Sequence, residues 1–223
     1  MMNSTRVNLK FKCLLPEIKE PYIVKTSIKD YKWFKEALKD LNKNKHKVKT
    51  HTARCPGIIN YLNYGWVQKT YQDIIIKTNG DKETIMYSTP FKQEESKFGK
   101  YIGAYVHYHS ADELYKYQKF REDCIKPLVK IHSPYIVEVP KGYWLLRLPL
   151  AYPDDNRFTA AIGFLDGKNF LNVQLFWHRL NSEEYIKRGT PLCQYVLVPK
   201  CEIKTTLEKG NLKDILDTGL FNE

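Results

Sequence analysis

A series of short apolar runs, separated by turn signals, restricts the fold of this 223-residue chain more than any other feature. The turn signals include Pro140-Lys141-Gly142, Asp166-Gly167 and Arg188-Gly189. Short strands with a turn about every ten residues are typical of antiparallel sandwiches and barrels. We therefore expect strands at Tyr135–Val139, Tyr143–Leu150, Ala160–Leu165, Leu171–Trp177 and Leu192–Val198.

Further strands are predicted earlier in the chain. Residues 7–13 alternate apolar and polar side chains, as a half-buried strand does. Ile74-Ile75-Ile76 has the character of a strand interior. Thr84–Tyr87 returns after Asn79-Gly80-Asp81, which is a strong signal for a hairpin turn.

Two segments between these strands are harder to assign. Residues 58–67 are rich in aromatic side chains, and we expect them to lead into a strand. In residues 90–132, Tyr101–His109 is compatible with a strand and Asp112–Arg121 with a short helix. An inserted lid or subdomain would fit this second segment.

The N-terminal region predicts one helix, from about Ile28 to Leu41, with Ser27 as its N-cap. Its apolar residues recur at helical spacing and predict one buried stripe. The stripe consists of Tyr31, Phe34, Leu38 and Leu41.

Positive charge is concentrated around this helix. The whole chain carries a formal net charge of +11, and residues 25–54 hold nine Lys and one Arg against three acidic residues, a local net of 10 − 3 = +7. Such a surface could contact nucleic acid or another anion by charge alone, because ammonium groups lack the bidentate geometry that selects bases. The alternative is an ordinary solvated face. The residues concerned are Lys32, Lys35, Lys39 and Lys43.

These elements together predict a mainly β chain with minor α (α+β), as an antiparallel barrel or sandwich with a helical N-terminal region. We expect one domain over residues 1–223. Its parts are a basic N-terminal region with one helix (1–65), strands that leave room for an insertion (66–133), a β core (134–205) and a C-terminal tail (206–223), in which Leu212, Ile215 and Leu216 indicate a short helix.

Several functional classes are disfavoured. No apolar run is long enough to span a membrane, and the first residues lack the apolar core of a signal peptide. The five Cys show no CxxC spacing and are expected to be reduced, with Cys193 as a core thiol. His107 and His109 share one strand face, but no further ligand follows at a recognisable spacing. We therefore expect neither a metal nor a cofactor.

Four motifs follow one another in the last third of the chain. They are Ile136-Val137-Glu138-Val139-Pro140-Lys141-Gly142-Tyr143, the turn Gly163-Phe164-Leu165-Asp166, the apolar strand Leu171–Trp177, and Ile186-Lys187-Arg188-Gly189-Thr190-Pro191-Leu192-Cys193-Gln194-Tyr195-Val196. In this order they resemble the core of the dUTPase/dCTP-deaminase (β-clip) family over about 65 residues.

This resemblance implies a homotrimer with nucleotide sites between subunits. It assigns Asp166 to the residue that activates water, Phe170 loosely to the aromatic that stacks on the base, and Arg147 to the phosphate motif. Gln194 occupies the last strand, where its amide can also bond neighbouring backbone in a crowded core. For Asp166 the alternative is a turn aspartate that bonds its own backbone.

The chain departs from the family where phosphates are held. No Ser follows Arg147, the Arg-Gly-Glu after the Asp turn is missing, and residues 202–223 contain only Gly210 and Gly219 in place of a Gly-rich arm. Losing donors that cradle a triphosphate removes the largest contribution to phosphoryl chemistry.

The function predicted from these observations is a non-catalytic β-clip structural or binding protein. We expect a viral (phage) assembly component, such as a capsid-surface or tail protein, located in the host cytoplasm or the virion. The first alternative is a divergent dUTP pyrophosphatase or dCTP deaminase, with Asp166 as the only catalytic candidate. The second is a nucleic-acid-binding accessory protein that uses residues 25–54.

Overall fold

Short strands dominate the computed structural model. Fifteen of them form four antiparallel sheets in the described part of the chain, so the predicted mainly β fold with minor α is confirmed. No sheet closes into a barrel among these strands. The described residues are 7–43, 51–92, 95, 99–102, 104–115, 121–150, 155–211 and 213–214.

The largest sheet has five strands. Two neighbouring strands of it, β9 (Tyr143–Leu148) and β15 (Pro191–Pro199), are strongly apolar, and six residue pairs join them in antiparallel register. Residues that are opposite in such a register point to the same side of the sheet. The order across the sheet is β11 (Gly163–Leu165), β9 (Tyr143–Leu148), β15 (Pro191–Pro199), β3 (Trp66–Lys69) and β2 (Ile23–Lys25).

A four-stranded sheet packs its alternate residues into the same core. Val173, Leu175 and Trp177 are completely buried, as their spacing of two residues along a strand requires. The order is β10 (Phe158–Ala160), β13 (Val173–Trp177), β7 (Leu128–Ile131) and β6 (Val106–His109).

Two three-stranded sheets complete the β structure. One has the order β1 (Lys10–Cys13), β8 (Tyr135–Glu138) and β12 (Lys168–Phe170). The other has the order β14 (Asn181–Ile186), β4 (Ile74–Asn79) and β5 (Ile85–Ser88). The predicted hairpin is confirmed between β4 and β5, where Gly80 has a φ of +90°.

The helices are short. None that is described is long and apolar enough to cross a membrane. They are the 3-10 turns Ile28–Asp30 and Thr52–Arg54 and the α-helices α1 (Lys32–Lys43), α2 (Pro56–Asn63), α3 (Gly99–Ile102) and α4 (Ala111–Tyr115).

Four of the five predicted strand segments of the last third are confirmed, and the remaining one is wrong. Residues 160–165 do not form one strand, because the chain turns at Ala161 and Ile162 and passes from β10 in one sheet to β11 in another. Ala161 donates its N–H to the Gln174 carbonyl and accepts from the Arg147 side chain, which fixes this turn.

The region before residue 66 contains two α-helices, where the sequence predicted one. The second, α2, occupies most of residues 58–67, and the strand into which this segment was expected to lead, β3, begins at Trp66. Pro56 stands at its first position, where the missing N–H and the fixed φ of proline favour a helix. The predicted strand at 7–13 begins only at Lys10. The expected C-terminal helix at Leu212, Ile215 and Leu216 falls on residues outside the described ones.

The predicted apolar stripe of the first helix needs one correction. Phe34 and Leu41 are buried, whereas Leu38 is 39% exposed. A 3-10 turn precedes α1, and the partners at α2 lie on the side of Trp33 and Ala37. Successive residues of a helix are 100° apart, so Leu38, which follows Ala37, turns away from this side and lies beside Lys35.

All four sheets contribute side chains to one core. Leu145 and Tyr195 come from the five-stranded sheet, Val173 from the four-stranded sheet, and Val137 and Ile76 from the smaller ones. A separate small cluster holds α1 against α2 through Phe34, Leu41 and Leu62.

At Gly65, between α2 and β3, the backbone passes so close to the backbone of β15 that only a glycine fits. Its φ is +95°, and a Cβ built there would lie 2.0 Å from the carbonyl oxygen of Tyr195. The Gly65 carbonyl accepts from the N–H of Thr26, so the same residue also joins β2 to this corner.

We expect Gly65→Ala to lower the free energy of unfolding by at least about 3 kcal/mol, because a backbone clash adds to the roughly 1–2 kcal/mol of left-handed strain. Gly142→Ala is the matched control. Gly142 has a φ of +83° but nothing within 4 Å of its Cβ position, so only the strain applies. Urea unfolding of the two variants measures the difference. Equal losses would contradict the close approach at Gly65.

Candidate functional site

Arg147, which the β-clip resemblance assigns to a phosphate site, is an internal residue. It lies on β9 and is 8% exposed. Its Nε donates to the Ala161 carbonyl at 2.8 Å and a terminal nitrogen donates to the Asn172 carbonyl at 2.6 Å. Gly163, opposite Arg147 on β11, leaves room for the guanidinium, since a Cβ there would lie 3.3 Å from it. The guanidinium therefore joins β9 to the chain around β10 and β13.

Gln194 is also internal, and its amide bonds backbone as the sequence predicted. It is completely buried on β15, and its Nε2 donates to the carbonyls of Tyr61 at 3.0 Å and Tyr64 at 2.6 Å. These carbonyls lie at the C-terminal end of α2, where helix carbonyls lack partners within the helix. Gln194 therefore anchors α2 to the five-stranded sheet.

Arg147 and Gln194 point to opposite sides of the five-stranded sheet. Tyr195 pairs with Arg147, and Gln194 pairs with Leu148. Since consecutive residues of a strand alternate between faces, one of the two side chains enters the core and the other meets α2. They cannot contact one ligand within a single chain.

Asp166 and Phe170 lie at the rim. Asp166 is exposed in the turn between β11 and β12, and its Oδ2 accepts from Lys200 Nζ at 2.7 Å. Its own carbonyl accepts from the side chain of Asn169, which agrees with a turn role. Phe170 is 42% exposed on β12, in a different sheet from Arg147.

The four predicted nucleotide-site residues therefore do not converge in one chain. Asp166 follows β11 three residues after Gly163, the partner of Arg147, which puts it roughly 10 Å farther along the sheet. Their role in nucleotide binding stays a prediction.

The anion-contact lysines lie in one exposed row on α1, opposite Phe34 and Leu41. Lys32 lies 4.0 Å from Glu36, at a separation where an exposed ion pair contributes little. The row, Lys32, Lys35, Lys39 and Lys43, thus has the expected geometry, and its contact with nucleic acid or another anion stays a prediction.

Among the cysteines, Cys193 is the completely buried core thiol that the sequence predicted, and burial raises its pKa to about 12. The rings of His107 and His109 are 6.4 Å apart, and His109 Nδ1 lies 2.8 Å from Glu113 Oε2. Among the described residues, the group with three possible metal ligands lies elsewhere, at Asp123, Cys124 and His178.

A cleft of about 490 Å³ beside the turn between β14 and β15 was not predicted. Arg188 crosses it and stacks 5.3 Å from the centre of the Tyr22 ring. Its terminal nitrogen lies 2.8 Å from Glu20 Oε2, its Nε donates to the Tyr22 hydroxyl, and its backbone N–H donates to Asp73 Oδ1 at 2.7 Å. The hydrogen bond from Arg188 lowers the pKa of the Glu20 carboxyl.

These contacts pair the Arg188 guanidinium with the Glu20 carboxylate and the Tyr22 hydroxyl, and the Arg188 backbone N–H with Asp73. A ligand anion would have to displace Glu20 before it could reach Arg188. We therefore interpret this arrangement as a clamp that holds residues 17–22 against the β14–β15 turn. In the sequence, the only signal was Arg188-Gly189, which indicated the turn but not the partners.

No family model and no curated protein matches the chain. Among solved structures, it is similar to a mutant dUTPase of Staphylococcus bacteriophage 80alpha with dUpNHpp, at 10% sequence identity and a TM-score of 0.39, over 92% of this chain and 91% of that chain. A likeness at this level assigns no activity, ligand or assembly to the chain.

We expect Arg147→Met to lower the free energy of unfolding by about 2 kcal/mol or more, because it leaves two buried carbonyl acceptors without donors at about 1–3 kcal/mol each. Asp166→Ala is the control, since Asp166 is exposed and should change the stability by no more than about 0.5 kcal/mol. Urea unfolding measures both. A neutral Arg147→Met would contradict the internal role of the guanidinium.

Proposed function

We propose that this chain is a non-catalytic structural or binding protein that keeps a β-clip type of core without its nucleotide chemistry. The observation that carries the proposal is the use of Arg147 and Gln194 inside the chain. Both side chains are buried, and both donate to backbone carbonyls of the same chain.

Redirecting either side chain to a nucleotide would be unfavourable. Arg147 would have to leave the carbonyls of Ala161 and Asn172, and an abandoned buried acceptor costs about 1–3 kcal/mol. Asp166 forms its ion pair with Lys200, whose Nζ also lies 3.7 Å from the centre of the Trp144 ring. These contacts favour a structural role for Asp166 in its turn over the activation of water.

The enzyme alternative makes the opposite prediction and is tested directly. We expect the purified chain with Mg²⁺ to release no pyrophosphate from dUTP and no ammonia from dCTP above a boiled-protein background. The control is the Asp166→Ala variant, which should give the same background rate. Release that depends on Asp166 would overturn the proposal and establish a divergent dUTP pyrophosphatase or dCTP deaminase.

An assembly role is supported by the side of the five-stranded sheet that faces away from the core. We call this side the outer face. Antiparallel sheets with one solvated side usually carry polar residues there. Here that side is apolar and only partly covered. It consists of Trp144, Leu146, Phe164, Val196 and Val198, of which Phe164 is 60% exposed, and Ile162, which directly precedes β11, is 64% exposed.

The partner that we propose for the outer face is a second copy of this chain, in a homotrimer. The exposed residues lie at β11, the edge strand of the sheet, where an unpaired strand can be covered by a neighbouring molecule. The segment after β15 is exposed throughout residues 200–211 and carries Ile203 and Leu207, which are 78% and 99% exposed. An apolar face and an exposed apolar segment on one molecule can be covered when copies associate.

Within this class we propose a viral assembly component, such as a capsid-surface or tail protein, in the host cytoplasm or the virion. Its support is limited to the apolar outer face and the Lys-rich, Tyr-rich composition, with 36 Lys and Arg and 16 Tyr. Such a protein needs surfaces that associate, and it does not need a catalytic site.

We expect the wild-type chain to be a trimer at micromolar concentration and Phe164→Glu to shift it to the monomer, because a carboxylate would be buried in the interface without a partner. The matched control is Met86→Glu, at a residue that is 51% exposed on β5 in another sheet. Light scattering after size-exclusion chromatography measures the mass, and circular dichroism checks that both variants are folded. A monomeric wild type would refute self-association through the outer face.

A further inference from the structure

Three possible metal ligands meet at the end of β13, although they are far apart in the sequence. Asp123 and Cys124 lie in the loop before β7, and His178 directly follows β13. One ligand atom from each residue lies within 4.8 Å of the other two. The sequence could not indicate this group, because no short spacing joins Cys124 to His178.

The backbone holds these residues in place. The N–H of Ile125 donates to the carbonyl of Trp177 at 3.0 Å, which fixes the residues next to them, Cys124 and His178, side by side. The N–H of His178 donates to the Arg157 carbonyl at 2.8 Å. The first hydrogen bond therefore joins the loop of Asp123 and Cys124 to the end of β13, and the second joins His178 to the residue before β10.

The imidazole of His178 is oriented for a ligand at Nδ1. Its Nε2 lies 2.8 Å from the hydroxyl of Thr159, on the neighbouring strand β10. Its Nδ1 faces Asp123 Oδ2 at 3.5 Å. Metal-binding histidines usually have their second nitrogen fixed by such a partner.

The separation of the ligand atoms agrees with a tetrahedral ion. Zinc lies 2.0–2.1 Å from a histidine nitrogen and 2.0–2.2 Å from a carboxylate oxygen, so the two atoms should be about 3.4 Å apart. The distance between His178 Nδ1 and Asp123 Oδ2 is 3.5 Å. This is longer than a good hydrogen bond and close to the separation of two ligands of one ion.

Asp123 is also held by Arg121, through Nε to Oδ1 at 3.0 Å and a terminal nitrogen to Oδ2 at 2.7 Å. Each carboxylate oxygen has two lone pairs, so Oδ2 can accept from Arg121 and still bind a metal. The guanidinium keeps the carboxylate in a fixed orientation, as hydrogen-bonding partners of metal ligands do. Cys124 is buried whereas Asp123 is exposed, so the group opens to solvent on one side.

We propose that Asp123, Cys124 and His178 form a binding site for a zinc-class divalent cation. A thiolate, an imidazole and a carboxylate are a ligand set that suits Zn²⁺. Three protein ligands leave one tetrahedral position for water or another ligand. A bound ion would join the 121–126 loop to the end of β13.

The test is a titration of the reduced, full-length chain with Co²⁺, which reports thiolate ligation through an absorption band in the near ultraviolet. We expect one equivalent to bind, the band to appear, and one equivalent of Zn²⁺ to remove it. Cys124→Ser should abolish the band, and His178→Gln and Asp123→Asn should weaken binding at least about tenfold. Cys201→Ser, at an exposed cysteine, is the matched control and should bind as the wild type does.

Thr159→Val separates ligation from a general effect on folding. It removes the partner of His178 Nε2 but no ligand, so we expect the band to remain while Co²⁺ affinity falls about ten- to hundredfold. Circular dichroism verifies that each variant is folded. Absence of the band in the wild type, its persistence in Cys124→Ser, or its loss in Cys201→Ser would each overturn the proposal.

Discussion

Six residue pairs join β9 to β15, and each layer of the molecule is attached to this pairing. On one side, Arg147 and Tyr195 enter the core, where Arg147 reaches Ala161 and Asn172. On the other side, Gln194 binds the end of α2. A shift of one residue in the register would exchange the two sides, so that the guanidinium would face α2 and the amide would face the core.

The burial of Arg147 gives its guanidinium a structural use inside the chain. A buried guanidinium is costly unless its donors are paired. In this chain, backbone carbonyls provide the pairing, and Gly163 leaves space for it. The same residue type that could hold a phosphate at a surface instead fixes the turn between β10 and β11.

Sequence reasoning was most successful where local signals determine the structure. The apolar runs gave four strands of the last third, and Asn79-Gly80-Asp81 gave the β4–β5 hairpin, because alternation and turn residues act over short distances. It failed where distant residues decide. The turn at Ala161 depends on Arg147, and the clamp at Arg188 depends on Glu20 and Asp73. The group at Cys124 and His178 exists only after β13 has paired with its neighbours, which no short spacing in the sequence can indicate.

The near-continuous apolar character of β9 and β15 has a further consequence. Strands of this kind are usually covered on both sides of their sheet. Leu145 and Tyr195 are completely buried on the core side, and α2 reaches the other side at Gln194. Beyond Gln194, Trp144 is partly buried, with Lys200 over its ring, and Phe164 is largely exposed. The position of α2 therefore determines how much of the outer face stays exposed. A longer or shifted α2 would cover these apolar residues within one chain, whereas in the proposed homotrimer a second copy of the chain covers them.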